Sequence, residues 1–190
     1  MSLVELIARA DERSLAASGL ACLDRCVPLL GGDDDILRPL WACLADEDLW
    51  ADWETRLAQA RAKLDAGPPE PPATDEDHAA VLARLMLDTV PVRPSEEELR
   101  AWADACSLTA LRAHRRLDHA DDSTSWPTVR EEGRTEGLSP LVAAELRRQT
   151  LVLELLDEHG TGGLRFVLDA SVEARRVLRA VVSRRARGRS

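Results

Sequence analysis

The chain has 190 residues, of which 45% are hydrophobic, which is enough for one sizeable core, so we expect a single domain over 1–190. It carries 34 acidic and 25 basic side chains, and the first half, 1–94, holds the whole acidic excess of its net charge of -9. Apolar runs such as 151–153 are far shorter than the ~20 residues of a membrane-spanning helix. Glu5 stands where a secretion signal would be basic, so we expect a cytoplasmic protein with no membrane partner.

Residue usage favours helices. Tyrosine is absent, Lys63 is the only lysine and Phe166 is the only phenylalanine. These scarce types share AT-rich codons, which indicates a high-GC bacterium and accounts for the many arginines without a nucleic-acid role. The same bias removes strand-forming residues and leaves helix formers such as Ala, Leu, Arg and Glu. We therefore predict an all-α fold, an irregular bundle of about six to eight helices.

The N-terminal region contains signals for two helices. Ser2 and Glu5 form a capping box that predicts a helix start, and Gly19 can end this helix in a left-handed cap. The apolar segment 20–27 predicts a short second helix, which Pro28 ends.

Two further helices precede a proline-rich segment. We predict one helix over about 36–44 and a longer one that Asp46 caps. The segment 67–73 is rich in proline and should form an extended spacer. It would join two possible halves of the domain, 1–66 and 74–183.

The middle of the chain contains two clear helix patterns. Thr74 opens a helix in which Val81, Leu82 and Leu85 are predicted to face the core. Ser95, with a glutamate three residues later, opens a long helix. The connection 119–138 is longer than helical bundles usually need, so it is either a functional loop or contains a short helix.

Two more helices complete the chain. Ser139 and Pro140 predict the start of a helix to His159 that is apolar around much of its circumference, so we expect it to be central and heavily buried. After a glycine-rich turn, a last helix should cover about 164–183, followed by a basic tail at 184–190.

Three polar residues stand within the apolar stripes of these last two helices. Glu145 and Gln149 belong to the first and Arg175 to the second. A buried charge is costly unless it is paired. We therefore predict that Glu145 and Arg175 pair with each other in the core. In the alternative interpretation, both stems are buried at the edge of the stripe and the charged ends reach water.

Motifs for metals, cofactors or catalysis are weak. His114 and His119 would point ~140° apart on one helix and could not share an ion. No nucleophile with its base and no phosphate-binding loop can be identified, so we predict no cofactor and no metal. Four cysteines stand in apolar patterns and are predicted to be buried, reduced thiols: Cys22, Cys26, Cys43 and Cys106.

Two features could contact partners. Five tryptophans against one phenylalanine is an unusual ratio, and tryptophan often contributes to interfaces. Trp41 and Trp126 are the interface candidates, because Trp50 and Trp53 match a core stripe; the alternative is that all fill the core. The basic tail is a candidate anion-binding segment, or a solvated chain end, with the residues Arg184, Arg185, Arg187 and Arg189.

These observations favour a non-enzymatic helical interaction or regulatory protein, whose partner is another protein or a second copy in a homodimer. One alternative is a helical metal-dependent enzyme or small-ligand-binding protein, with ligands drawn from His78, His114 and Glu145. A second alternative is weak nucleic-acid association through the arginine tail, although the net charge has the wrong sign for it.

Overall fold

The computed structural model describes residues 1–65, 71–118 and 126–188. These residues form helices and connecting turns and contain no strand, which confirms the all-α, single-domain fold. Short 3-10 helices cover Val27–Leu30, Trp50–Asp52 and Gly160–Gly163. The α-helices are α1 Leu3–Arg9, α2 Glu12–Cys26, α3 Arg38–Ala45, α4 Trp53–Lys63, α5 Asp75–Asp88, α6 Glu96–Asp118, α7 Trp126–Glu132, α8 Pro140–His159 and α9 Leu164–Gly188.

Helix α2 lies at the centre of the core, since every residue from Ser14 to Cys26 is buried. It packs against α6, α8 and α9, so the two predicted halves of the chain share one core. The sequence predicts this central place for α8 instead. That prediction is wrong, because α8 buries one side and leaves Leu151 and Glu154 exposed on the other.

Gly19 lies inside α2 and does not end a helix as the sequence predicts. The break comes earlier, where Asp11 caps α2 by accepting a hydrogen bond of 2.8 Å from the backbone N–H of Ser14. A Cβ atom at position 19 would clash with the ring of Trp102. Glycine therefore allows α2 and α6 to approach closely, and this packing outweighs its low helix propensity.

Other helix starts lie where the capping signals predict them. Both hydrogen bonds of the capping box form at Ser2 and at Thr74. At the start of α6, the Ser95 Oγ accepts a hydrogen bond of 3.3 Å from the Glu98 N–H, and the Glu98 carboxylate accepts one of 3.1 Å from the Ser95 N–H. Helix α8 has the predicted bounds Pro140–His159.

Helix α4 begins later than predicted. The Asp46 side chain accepts a hydrogen bond of 3.0 Å from the Asp48 N–H, which forms a local turn and not a helix cap. The 3-10 helix Trp50–Asp52 follows, and α4 starts only at Trp53.

Helix α5 turns Val81 and Leu85 away from the core, although Leu82, the third residue predicted to face it, packs against the core. Its core side includes the small residues Ala79 and Ala83, whereas Val81 is 46% and Leu85 50% exposed. Alanines at the contact let α5 pack closely on α6, the next helix of the same hairpin. Two of the larger apolar side chains of α5 are left on the outer surface.

Parts of two predicted connections lie outside the described residues. These are 66–70 of the proline-rich spacer and 119–125 of the long connection. The rest of the long connection contains α7, so a short helix is present within 119–138. Within the described chain, no helix combines the length and hydrophobicity needed to cross a bilayer.

Candidate functional site

Two consecutive charged residues of α2, Asp24 and Arg25, lie at the centre of the buried polar structure. They are 0% and 1% exposed. Because consecutive residues of a helix point about 100° apart, the two side chains reach different neighbours. Arg25 contacts α8 and Asp24 contacts α9. Neither residue is among the sites predicted from the sequence, although an adjacent pair of charges within the apolar segment 20–27 was a visible signal.

Arg25 and Glu145 form a bidentate ion pair. The Arg25 Nε donates to Glu145 Oε2 at 2.8 Å, and Nη2 donates to Oε1 at 2.7 Å. Both side chains are fully enclosed. Two parallel hydrogen bonds between a guanidinium and a carboxylate are the geometry in which a buried charge pair is best satisfied.

Further polar groups complete this first network. The Gln149 amide donates to Glu145 Oε1 at 2.8 Å and to the backbone oxygen of Ser107 at 3.1 Å. The Ser107 hydroxyl donates back to the Gln149 Oε1 at 2.6 Å. The Nδ1 of His114 lies 2.8 Å from the Ala110 carbonyl oxygen, and its Nε2 lies 3.7 Å from Glu145. The network thereby joins α2, α6 and α8.

The network keeps Glu145 ionised. Burial by itself raises the pKa of this carboxyl group, but the Arg25 guanidinium, the nearby His114 and the hydrogen bonds from Arg25 and Gln149 outweigh it. The result is a pKa lowered to about 2. Glu145 and Arg25 therefore both carry their charges inside the core at neutral pH.

Asp24 and Arg175 form a second buried ion pair, between α2 and α9. The Arg175 Nη1 donates to Asp24 Oδ1 and to the backbone oxygen of Asp34, both at 2.7 Å. One turn later, Arg179 donates to Asp34 Oδ1 at 2.7 Å and to the Gly32 carbonyl at 3.3 Å. These contacts connect α9 to the segment that precedes α3.

This second pair is only partly satisfied. Asp24 Oδ2 and Arg175 Nε have no hydrogen-bond partner among the described residues, and the same is true of the buried Trp41 Nε1 and Ser171 Oγ. Burial raises the pKa of Asp24 to about 6, against the opposing effects of Arg175 and Arg25. Two arginines do not offset the loss of water around this carboxylate.

The predicted ion pair between Glu145 and Arg175 is wrong. The structure buries Glu145, Gln149 and Arg175 at 0%, 2% and 7% exposure, but each charged residue binds a partner in α2. The physical reason is the position of α2, which lies in contact with both α8 and α9 and contributes one opposite charge to each.

The Arg25–Glu145 network is closed to solvent. Arg25, Glu145, Gln149 and His114 are at most 3% exposed. The described part of the chain contains no group of three or more His, Cys, Asp or Glu side chains with the spacing of a metal site. Burial also raises the pKa of Cys22 to about 12, so this thiol is not activated as a nucleophile.

Trp41, one of the two tryptophan candidates for an interface, is not a surface anchor. Trp41 is 3% exposed, so its predicted interface role is wrong, and the side chain of Trp126 lies outside the described residues. Trp53 and Trp102 are also buried, with their indole N–H groups donating to backbone oxygens. Because the chain has only one phenylalanine, tryptophan is the aromatic residue that fills the core.

The basic tail is an extension of α9 through Gly188. Arg185 donates to the Leu117 backbone oxygen near the end of α6, where a positive charge is favourable. Arg184 and Arg187 are exposed, and Arg189 lies outside the described residues.

An apolar groove lies between α5 and α6, where the sequence patterns predict no concave surface. It has a volume of about 420 Å³. Its wall on the α5 side includes Leu85 and Met86, and its α6 wall includes Ala101 and Ala105. The remaining lining residues are Thr89, Pro91, Glu98, Trp102, Cys106 and Thr109.

Exposed apolar side chains concentrate beside this groove. Seven large hydrophobic residues of the described chain are exposed, and Val81, Leu85 and Val92 are three of them. Val81 and Leu85 are one helical turn apart, so they form a short ridge along α5. Isolated exposed apolar residues are ordinary, whereas here two of them lie together along the edge of an apolar groove.

Comparison with protein-family models, curated proteins and solved structures finds no match.

Proposed function

We propose that the protein is a non-enzymatic helical interaction protein and that the α5–α6 groove makes its protein–protein contacts. The occupant is an apolar face of a helix from another polypeptide chain. The observation that supports this proposal is the open apolar groove with the exposed ridge of Val81 and Leu85 beside it.

The shape of the groove suits a helix. Two helices that pack side by side leave a furrow into which the side-chain ridge of a third helix fits. Ala101 and Ala105 keep the α6 wall low, so a partner backbone can approach closely. Burying the exposed part of Leu85 would contribute roughly 1 kcal/mol through the hydrophobic effect.

Charge restricts the occupant further. Glu98 lines one end of the groove and is exposed. A partner helix that carries an arginine or lysine at this end would gain an ion pair at the rim, and an acidic residue there would be repelled. The partner we propose is thus an apolar helix with a basic residue near one end of its contact face.

Site-specific photo-crosslinking tests this function. A photoreactive residue replaces Ala101 in the groove or, as the control, the exposed Leu151 on α8, in cells that naturally produce the protein. The expected result is an adduct with one defined polypeptide from position 101 and none from position 151. Mass spectrometry then identifies the polypeptide, which can also be this chain itself.

Binding between purified components completes the test. The identified polypeptide should bind the full chain, and Leu85→Glu should abolish binding while the unfolding temperature stays within a few degrees, since Leu85 is half-exposed. Equal labelling from positions 101 and 151, or undiminished binding by the Leu85→Glu variant, would show that the groove is not the contact surface.

A further inference from the structure

The exposed face of α6 is complementary in charge to itself. Glu98, Ala105 and Arg112 follow one another at intervals of seven residues, and all three are exposed. Seven residues make nearly two helical turns, so these side chains lie along one face. The first turn of α6 is acidic, and its last turn is basic. An α6 laid antiparallel on another α6 therefore brings opposite charges together at both ends.

We propose that the helix that occupies the groove is α6 of a second copy of this chain, related by a two-fold axis near Ala105. This inference rests on the proposed function and names its partner. Positions 98 and 112 are equally distant from 105, so Glu98 of each copy meets Arg112 of the other. A two-fold interface makes each such contact twice, which is the property of a closed homodimer.

Side-chain size supports the same arrangement. Ala105 lies on the axis, and Ala101 of one copy faces Thr109 of the other, because these positions are also equally distant from 105. Small side chains at these places allow the two backbones to approach closely. The exposed Leu85 then lies over the α6 of the second copy, and its apolar surface is removed from water.

The two charged groups are available for this contact. The hydrogen bonds that Glu98 accepts from Ser95 all go to Oε2, which leaves Oε1 for a partner. Arg112 is exposed and forms no ion pair with another residue in the described parts of the chain. Ion pairs at the rim of an apolar contact fix its direction and its register.

A mixing experiment with charge-reversed variants tests the two-fold geometry. The wild type should form dimers in sedimentation-velocity experiments over a concentration series. Glu98→Arg places two arginines opposite each other in both contacts, and Arg112→Glu places two glutamates there. Each variant by itself should self-associate at least about tenfold more weakly than the wild type. An equal mixture should form a one-to-one heterodimer of wild-type affinity, because both contacts are then restored.

Two controls separate this result from general charge or folding effects. Glu154→Arg and Arg165→Glu reverse exposed charges on α8 and α9, and neither these variants nor their mixture should change self-association. Glu98→Gln removes the charge but keeps a side chain able to cap α6, so its weaker dimer cannot be ascribed to a lost cap.

The outcomes distinguish the two proposals. A wild type that stays monomeric throughout the concentration series, or a mixture that fails to restore dimers, overturns the homodimer. If photo-crosslinking from position 101 then still yields a defined second polypeptide, the groove remains a protein-binding site. Restored dimers in the mixture, with no effect of the control reversals, establish α6 of a second copy as the occupant.

Discussion

Asp24 and Arg25 are neighbours in α2, yet the ion pairs that they form differ in how well their polar atoms are satisfied. Around Arg25, both carboxylate oxygens of Glu145 are bound, and Gln149 and Ser107 extend the network. Around Asp24, one carboxylate oxygen and the Arg175 Nε have no partner among the described residues. Full burial is common to both carboxylates, so hydrogen bonding makes the difference.

The pKa values of the two carboxyl groups express this difference. The pKa of Glu145 is lowered to about 2, whereas that of Asp24 is raised to about 6. A buried carboxylate is stabilised only when enough donors replace its lost water. The Arg25 network therefore holds α2, α6 and α8 together, whereas the Asp24 contact with α9 carries a cost at neutral pH.

Removing the charge of Glu145 should give the largest effect. Glu145→Gln leaves Arg25 buried without its counter-charge, so we expect a loss of about 3 to 5 kcal/mol in the free energy of unfolding. Urea denaturation followed by circular dichroism measures this loss.

Glu154→Gln on the exposed side of α8 is the control for Glu145→Gln and should change stability little. The double variant Arg25→Met with Glu145→Leu should recover most of the loss, because no unpaired charge remains. A loss below about 1 kcal/mol for Glu145→Gln would contradict the role assigned to the network.

The pH dependence of stability should separate the two regions next. Asp24 has a folded pKa of about 6, raised from its ordinary value of 3.8, so its stabilising contribution is complete below pH 3.8 and is lost as pH rises through 6. Between about pH 7.5 and pH 4.5, the wild type should gain roughly 2 kcal/mol relative to Asp24→Asn. Urea denaturation at several pH values gives this difference, and a constant difference would show that Asp24 is not shifted.

In the same experiment, the contribution of Glu145 to stability depends on pH with the opposite sign. Its pKa is lowered, so its contribution is fully present above 4.5 and is lost only as pH falls through 2. The stability difference between the wild type and Glu145→Gln should therefore stay level over the range in which the Asp24 difference changes.

Replacing two buried serines should give the smallest difference in stability between the two regions. Ser107 donates a hydrogen bond of 2.6 Å to Gln149 in the complete network, and Ser171, one turn before Arg175 in α9, has a buried hydroxyl without a partner among the described residues. Ser107→Ala should cost about 1 kcal/mol, whereas Ser171→Ala should be neutral or slightly stabilising. Thermal and urea unfolding measure both variants. Equal losses in the free energy of unfolding would contradict the proposed difference in hydrogen bonding between the two regions.

Local signals in the sequence predict helix starts well because their physics is local. Ser2, Thr74 and Ser95 cap the helices that follow them, and α8 has its predicted bounds. A local signal fails at Gly19, which was predicted to end a helix, because the contact that requires glycine comes from Trp102, far away in the chain. Whether a glycine ends a helix or admits a neighbouring helix depends on tertiary packing.

The site was harder to predict because it depends on which helices are neighbours. Periodicity correctly marks Glu145 and Arg175 as unusual, but it does not reveal that α2 lies between their helices and supplies both partners. The groove could not be predicted from the sequence for a related reason. Hydrophobicity alone orients Val81 and Leu85 inward, whereas close packing of α5 on α6 selects the alanine face.

The contact between Gly19 and Trp102 has a consequence for the divergence of this protein. The Trp102 ring fills the space beside position 19 at the crossing of α2 and α6. A larger residue at position 19 therefore requires a smaller one at position 102. Sequences that descend from the same ancestor should therefore show compensating sizes at these two positions. Such a correlated pair offers a way to recognise distant relatives after most surface residues have changed.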